Sequence, residues 1–196
     1  MNIIAPASGT VEQAVAWLVP RADPSYTPFD VRVICEAYRS VGERVGVDWF
    51  TALAQMAHET GNLTSFWSLR PQRNPAGIGV TGQWSATPPA NPAGWAFNHQ
   101  RQRWELGVSF PTWASDAVPA HIGRLLAYAL RDEEANAEQR ALICHALSYR
   151  PFPANLRGVA PRWVDLNGRW AVPGATYGQT IINLARRMSS RAPVYR

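Results

Sequence analysis

Asp48-Trp-Phe-Thr-Ala-Leu-Ala-Gln-Met-Ala-His-Glu-Thr-Gly61 is the stretch whose reading organises the rest of this chain. Asp48 is a natural N-cap, Trp49, Leu53, Met56 and Ala57 fall on one helical stripe, and Gly61 suits the left-handed position that ends many helices. The spacing predicts an apolar helix with Glu59 in its last turn. A helix C-terminus carries partial negative charge, which disfavours a second negative charge there. The dipole and apolar surroundings together raise the pKa of such a carboxyl and keep its proton available near neutral pH, as a general acid requires. The competing reading of Glu59 is a solvated carboxylate at a frayed helix end.

Helical periodicity extends on both sides of this segment. Thr10-Val-Glu-Gln13 resembles a capping box, and Val11, Ala14, Val15 and Leu18 form a short amphipathic helix ending before Pro20. Val31, Ile34, Cys35, Tyr38 and Val41 share one face of a second helix. Between Leu63 and Pro111 the period of 3.6 fades into Gly, Pro, Asn and Trp, which predicts loops and a small hairpin. Within it, Asn74-Pro-Ala-Gly-Ile-Gly-Val-Thr-Gly82 is a glycine-rich turn with Trp67, Trp84 and Trp95 around it. Helices return over Asp116 to Arg131, with Pro119 tolerated in the first turn, and over Ala135 to Tyr149. A capping box at Thr176-Tyr-Gly-Gln179 starts the last one, through Ile181, Ile182, Leu184, Ala185 and Met188. The expected fold class is therefore mainly α (α+β), a helical domain with a small irregular or hairpin lobe flanking a cleft.

A chain of 196 residues is enough for one domain spanning 1–196. A hydrophobic fraction of 46%, nine tryptophans and only 17% charged residues describe an ordered protein rather than a disordered one. The net charge of +5 favours an anionic partner. All 19 basic residues are arginine, yet only Arg186 and Arg187 are adjacent, so no nucleic-acid-binding stripe is evident. Cys35 and Cys144 both stand in apolar helical settings, which predicts buried free thiols and leaves a single bridge open. Four scattered histidines give no ligand cluster, and His58-Glu59 lacks the second His of a zinc-protease helix, so neither metal nor cofactor is expected. No stretch approaches the roughly 20 apolar residues of a membrane span.

Four segments, taken in order, are similar to the lysozyme-like glucosaminidases of glycoside hydrolase family 73, which cut bacterial peptidoglycan. Ala54-Gln-Met-Ala-His-Glu-Thr-Gly61 resembles that family's helix ending in Glu-Ser/Thr-Gly, and Asn74-Pro-Ala-Gly-Ile-Gly79 its Asn-x-x-Gly-Ile turn. Phe110-Pro-Thr-Trp-Ala-Ser-Asp-Ala-Val-Pro-Ala-His-Ile-Gly-Arg-Leu-Leu126 resembles its Phe-x-x-Tyr-x-Ser stretch and the helix that follows. Trp170-Ala-Val-Pro-Gly-Ala-Thr-Tyr177 resembles its Tyr-Ala-Thr-Asp segment and a later Tyr before the last helix. The resemblance implies a lysozyme-like fold with Glu59 as proton donor and Tyr177 near the reacting sugar. Two departures stand out. Trp170 occupies the place of the family's first Tyr, keeping a stacking surface without the hydroxyl. Glu105 is the only acidic residue between Glu59 and Phe110, in a shortened hairpin, and is the candidate second carboxylate.

Two mechanisms follow. Glu105 can activate water from the opposite ring face, which needs carboxyl groups about 6.5 to 9.5 Å apart, or the substrate's own N-acetyl group can attack the anomeric carbon. Asn74 and Gly77 of the turn, together with Trp67, Trp84, Trp104 and Trp170, are the candidate substrate-binding residues. The expected partner is bacterial peptidoglycan, met by a monomer without nucleic acid or stable membrane insertion. The segment Met1 to Thr10 lacks the basic start and apolar core of a secretory signal. That suggests a protein made in the cytoplasm and acting on the wall after release, as a phage or prophage lysin does, or one exported by another route. Alternatives are an N-acetylmuramidase or lytic transglycosylase on the same fold, a non-catalytic wall-binding or virion structural protein, and, last, a nucleic-acid-binding domain.

Overall fold

The computed structural model describes residues 1–190; Arg191 to Arg196, the end of the single domain expected from sequence, lie outside the described residues. The class is the expected one, mainly helical α+β. Among the described residues six α-helices run in chain order: α1 (Val11–Leu18), α2 (Pro28–Val45), α3 (Trp49–Glu59), α4 (Val118–Ala129), α5 (Ala137–Tyr149) and α6 (Tyr177–Ser189). Three short strands, β1 (Trp84–Ser85), β2 (Trp95–Asn98) and β3 (Arg103–Leu106), form one antiparallel sheet in the order β1-β3-β2. The lobe is thus one strand larger than the predicted hairpin, because β1 joins the free edge of β3, with Trp84 opposite Glu105.

The helix starts follow from short polar side chains. Thr10 accepts from the Gln13 amide while the Gln13 side chain returns to Thr10, the reciprocal capping expected of α1. At α3, Asp48 accepts from the Thr51 amide at 3.2 Å and also holds Ser8. Gly61 follows with φ +58°, the left-handed turn-off that leaves Glu59 as the last helical residue. The expected capping box of α6 is not made: Thr176 gives no side-chain cap. Asn167 replaces it from a distant loop, accepting from the Gly178 amide at 2.7 Å and donating to the Gln179 side chain at 2.9 Å. A cap supplied from outside the helix leaves no local sequence pattern.

Helix α3 lies at the centre. Every residue from Trp49 to Ala57 is buried, so this helix is apolar all round and needs neighbours on each side. It packs against α2 and α6, while α4 packs on α5. Gly123 makes the latter close, since a Cβ there would collide with the Leu142 backbone of α5. Fully burying a side chain such as Leu53 or Met56 contributes about 1.5–3 kcal/mol. Cys35 sits in this core as expected, whereas Cys144 does not. It lies on the exposed side of α5, where only Leu142, Ile143 and Ala146 are buried. Both thiols are free. Among the described residues no helix is long and apolar enough to cross a membrane.

Candidate active site

Glu59 projects from the last turn of α3 into contact with the start of α6. It is half-buried, and the Tyr177 hydroxyl donates a hydrogen bond to its Oε1. Burial raises the Glu59 pKa above the ordinary carboxylate value; the Tyr177 hydrogen bond, the nearby His58 and the Trp170 indole N–H pull the other way. The net direction is upward. Tyr177 is itself kept protonated, first by burial and then by the Glu59 carboxylate beside it. Trp170 stands near enough for its ring N–H to act on the Glu59 carboxyl.

Tyr177 is the end of a buried polar chain that sequence reasoning did not find. The Gln55 Nε2 donates to the Tyr177 oxygen at 2.7 Å, Gln55 Oε1 meets His121 Nε2 at 3.0 Å, and His121 Nδ1 meets the Tyr38 hydroxyl at 2.7 Å. An ionised Glu59 can only accept, which fixes every direction in turn. Tyr38 donates to Nδ1, His121 carries its proton on Nε2 and donates to Gln55, Gln55 donates to Tyr177, and Tyr177 donates to Glu59. Gln55 and His121 are both fully buried. Burial lowers the His121 pKa to about 3, so the ring is neutral and single-protonated at neutral pH, as the chain requires. The one legible signal was the spacing of Gln55 and Glu59, four apart on α3, which puts them on the same face. His121 gave none, because a histidine inside the apolar run of α4 has no partner visible in sequence.

The remaining candidates do not share one site. Trp170 and Gly77 do come together: both line a cavity of about 260 Å³ that also takes in Gly79, Val80 and Tyr128. Asn74 is committed elsewhere. It is buried, its Nδ2 donates to the carbonyls of Ile78 and Val108, and its Oδ1 accepts from the amides of Ala76 and Ile78. Its function is to pin the glycine-rich turn to the strand leaving the sheet. Trp67 is buried and stacks over Gly107, where a Cβ would strike its ring. Trp104, with Trp95 and Phe97, lines a larger cleft of about 540 Å³ on the lobe, and Trp84 stands exposed with the Arg103 guanidinium 5.3 Å from its ring centre.

Glu105 is held by two cations. Its Oε1 accepts from Arg103 Nε at 2.9 Å and from Arg101 Nη1 at 3.2 Å. Burial works to raise its pKa, but the two arginines outweigh that and the net shift is downward. Glu105 lines a separate cavity of about 140 Å³ with Trp67, Val80 and Gly82. The two carboxyl groups therefore have opposite environments, one pushed toward the acid form and one held as a paired anion. Among the described residues no group of three His, Cys, Asp or Glu side chains is arranged to hold a metal ion. No protein-family model matches this chain, and no curated protein matches it either.

Proposed function

We propose that this protein is a peptidoglycan hydrolase that cleaves the β-1,4 glycan backbone, an endo-β-N-acetylglucosaminidase of the lysozyme-like kind with Glu59 as general acid. The observation that carries the reading is the environment of Glu59: a half-buried carboxyl at a helix C-terminus, raised in pKa, with one oxygen held by Tyr177. Breaking a glycosidic bond requires a proton on the departing oxygen as positive charge grows at the anomeric carbon. With Oε1 accepting from Tyr177, the proton of neutral Glu59 belongs on Oε2, the oxygen left for substrate. The aromatic cleft of the lobe, with Trp95 and Trp104, offers faces on which further sugar rings of a polymer can stack.

A second reading on the same scaffold is favoured by the pairing of Glu105 with Arg101 and Arg103. A carboxylate so neutralised is a weak base, which leaves attack by the substrate's own N-acetyl group or by an internal hydroxyl, the latter being lytic transglycosylation. One experiment decides among these. The protein and its Glu59→Gln variant are incubated with purified peptidoglycan, the products reduced with borohydride, and the new ends identified by mass spectrometry. A new N-acetylglucosaminitol end made only by the unaltered protein is expected. N-acetylmuramitol or an anhydro end moves the assignment to a muramidase or transglycosylase. An absence of new ends on several wall types sinks the enzymatic reading, and ends made equally by Glu59→Gln sink the assignment of Glu59 as the acid.

A further inference from the structure

The cavity beside Trp170 collects three arginines that are far apart in sequence. Arg124 comes from the middle of α4, Arg150 from the residue after α5, and Arg169 from the loop before α6, and all three line the cavity with Gly77 and Tyr128. Their charges converge on one place: each of them acts electrostatically on the Tyr128 hydroxyl. Burial first, and then Arg150, disfavour the charge on half-buried Arg124. None of the three forms an ion pair with a carboxylate among the described residues, whereas seven other arginines do. Their hydrogen bonds go to backbone instead, Arg169 to the Asp165 carbonyl at 2.8 Å and Arg124 to the Arg150 carbonyl at 3.5 Å.

Gathering three like charges around one concave site is unfavourable unless an anion joins them. The guanidinium is the side chain best suited to grip carboxylates in a planar, two-pronged way. Trp170 forms part of the wall and its indole N–H also acts on the Glu59 carboxyl, so this one side chain stands between the cavity and the candidate acid. Tyr128 stacks on Trp170 with ring centres 5.6 Å apart and donates to the Arg169 carbonyl at 3.1 Å, which ties the arginine loop to the same wall.

We propose that Arg124, Arg150 and Arg169 form an anion subsite that binds a carboxylate of the peptidoglycan strand next to the bond being cut. This inference rests on the proposed function for its choice of substrate, although the arginine cluster itself does not. Two parts of the strand carry carboxylates, the lactyl group of N-acetylmuramic acid where it bears no peptide and the stem peptide where it does. The subsite explains how a neutral stacking groove is converted into one selective for cell-wall glycan over chitin-like glycan.

The test measures binding in the Glu59→Gln protein, so that no ligand is consumed, using tryptophan fluorescence and calorimetry. Three tetrasaccharides are compared: chitotetraose, without carboxylates; a peptide-free peptidoglycan fragment, with lactyl carboxylates; and the same fragment carrying stem peptides. Citrate serves as a sugar-free anion probe. At least one carboxylate-bearing fragment is expected to bind roughly tenfold tighter than chitotetraose, the gain expected from a charge-assisted pair. The fragment that gains identifies the lactyl or the stem source. Arg150→Gln, at an exposed position without an ion pair among the described residues, should bring the ligands to within about twofold of one another, and Arg150→Lys should recover part of the difference. Equal binding of all three sugars overturns the subsite. Binding of citrate that depends on Arg150, with no binding of any sugar, retains the anion site and overturns the glycan reading. Absence of both overturns the proposal entirely.

Discussion

Replacing Gln55 by Leu tests whether the buried polar chain is as ordered as its geometry implies. The two side chains have similar volume, so the substitution opens little cavity at a fully buried position. What it removes is the acceptor of the His121 N–H and the donor to the Tyr177 oxygen. A tautomer change does not rescue the first loss. With the proton moved to Nδ1, His121 donates to Tyr38, but the Tyr38 O–H then has no acceptor; one buried donor is orphaned either way. That orphan costs about 1–3 kcal/mol and the lost bond to Tyr177 about 1 kcal/mol, roughly 2–4 kcal/mol together. For a chain of this size the corresponding fall in melting temperature is roughly 4–16 °C. Urea unfolding followed by circular dichroism should show a lower midpoint at unchanged slope. A loss below about 0.5 kcal/mol would refute the chain as a set of made hydrogen bonds.

Tyr177→Phe removes a donor that stabilises ionised Glu59, so the Glu59 pKa rises further and cleavage, which needs the protonated acid, should persist to higher pH; an alkaline limb that stays put or moves down contradicts the role given to Tyr177. Glu105→Gln should leave turnover within about tenfold of the parent, because a carboxylate held by two arginines is a poor base; a loss of roughly a thousandfold would restore it as the second catalytic group. The native protein should release one equivalent of thionitrobenzoate from a disulfide reagent, from exposed Cys144, and two after unfolding, since Cys35 is buried and its thiol pKa is raised by that burial; two fast equivalents in the native state would contradict the core placement of Cys35.

The elements whose causes are local were legible in the sequence. The cap at Thr10, the apolar face of α2 and the placement of Glu59 before Gly61 each depend on residues within a few positions of one another. What escaped was non-local. The Asn167 cap on α6, the strand β1 added to the edge of β3, and the chain from Tyr38 through His121 to Tyr177 join residues 11 to 122 positions apart in sequence. The arginines show the same limit most clearly. Read linearly they are scattered, yet the packing of α4, the end of α5 and the loop before α6 sets three of them around one cavity. Cys144 illustrates a different failure: the pattern of α5 is only weakly amphipathic, and apolar neighbours in sequence do not fix which side of such a helix is buried.

The two carboxyl groups argue for a site that works with one. Glu105 does not have to be freed for the proposed chemistry, and much in the structure keeps it from being free. Arg103 is fixed twice, by Glu105 on one side and by the face of Trp84 on the other, so its guanidinium does not leave the carboxylate without also giving up a cation–π contact. Glu59, by contrast, has one oxygen held by Tyr177, which under the proposed chemistry leaves the other for proton transfer. The donors behind it, running from Tyr38 to Tyr177, all point toward the carboxylate and suit the ion that remains after the proton has left. Burial opposes that ion and favours the acid before transfer. The balance of the two is what a general acid needs, a proton held firmly enough to be present and loosely enough to be given. Positive charge at the anomeric carbon must then be met from the substrate side, which is why an N-acetylated sugar, carrying its own nucleophile, fits this arrangement better than a plain one.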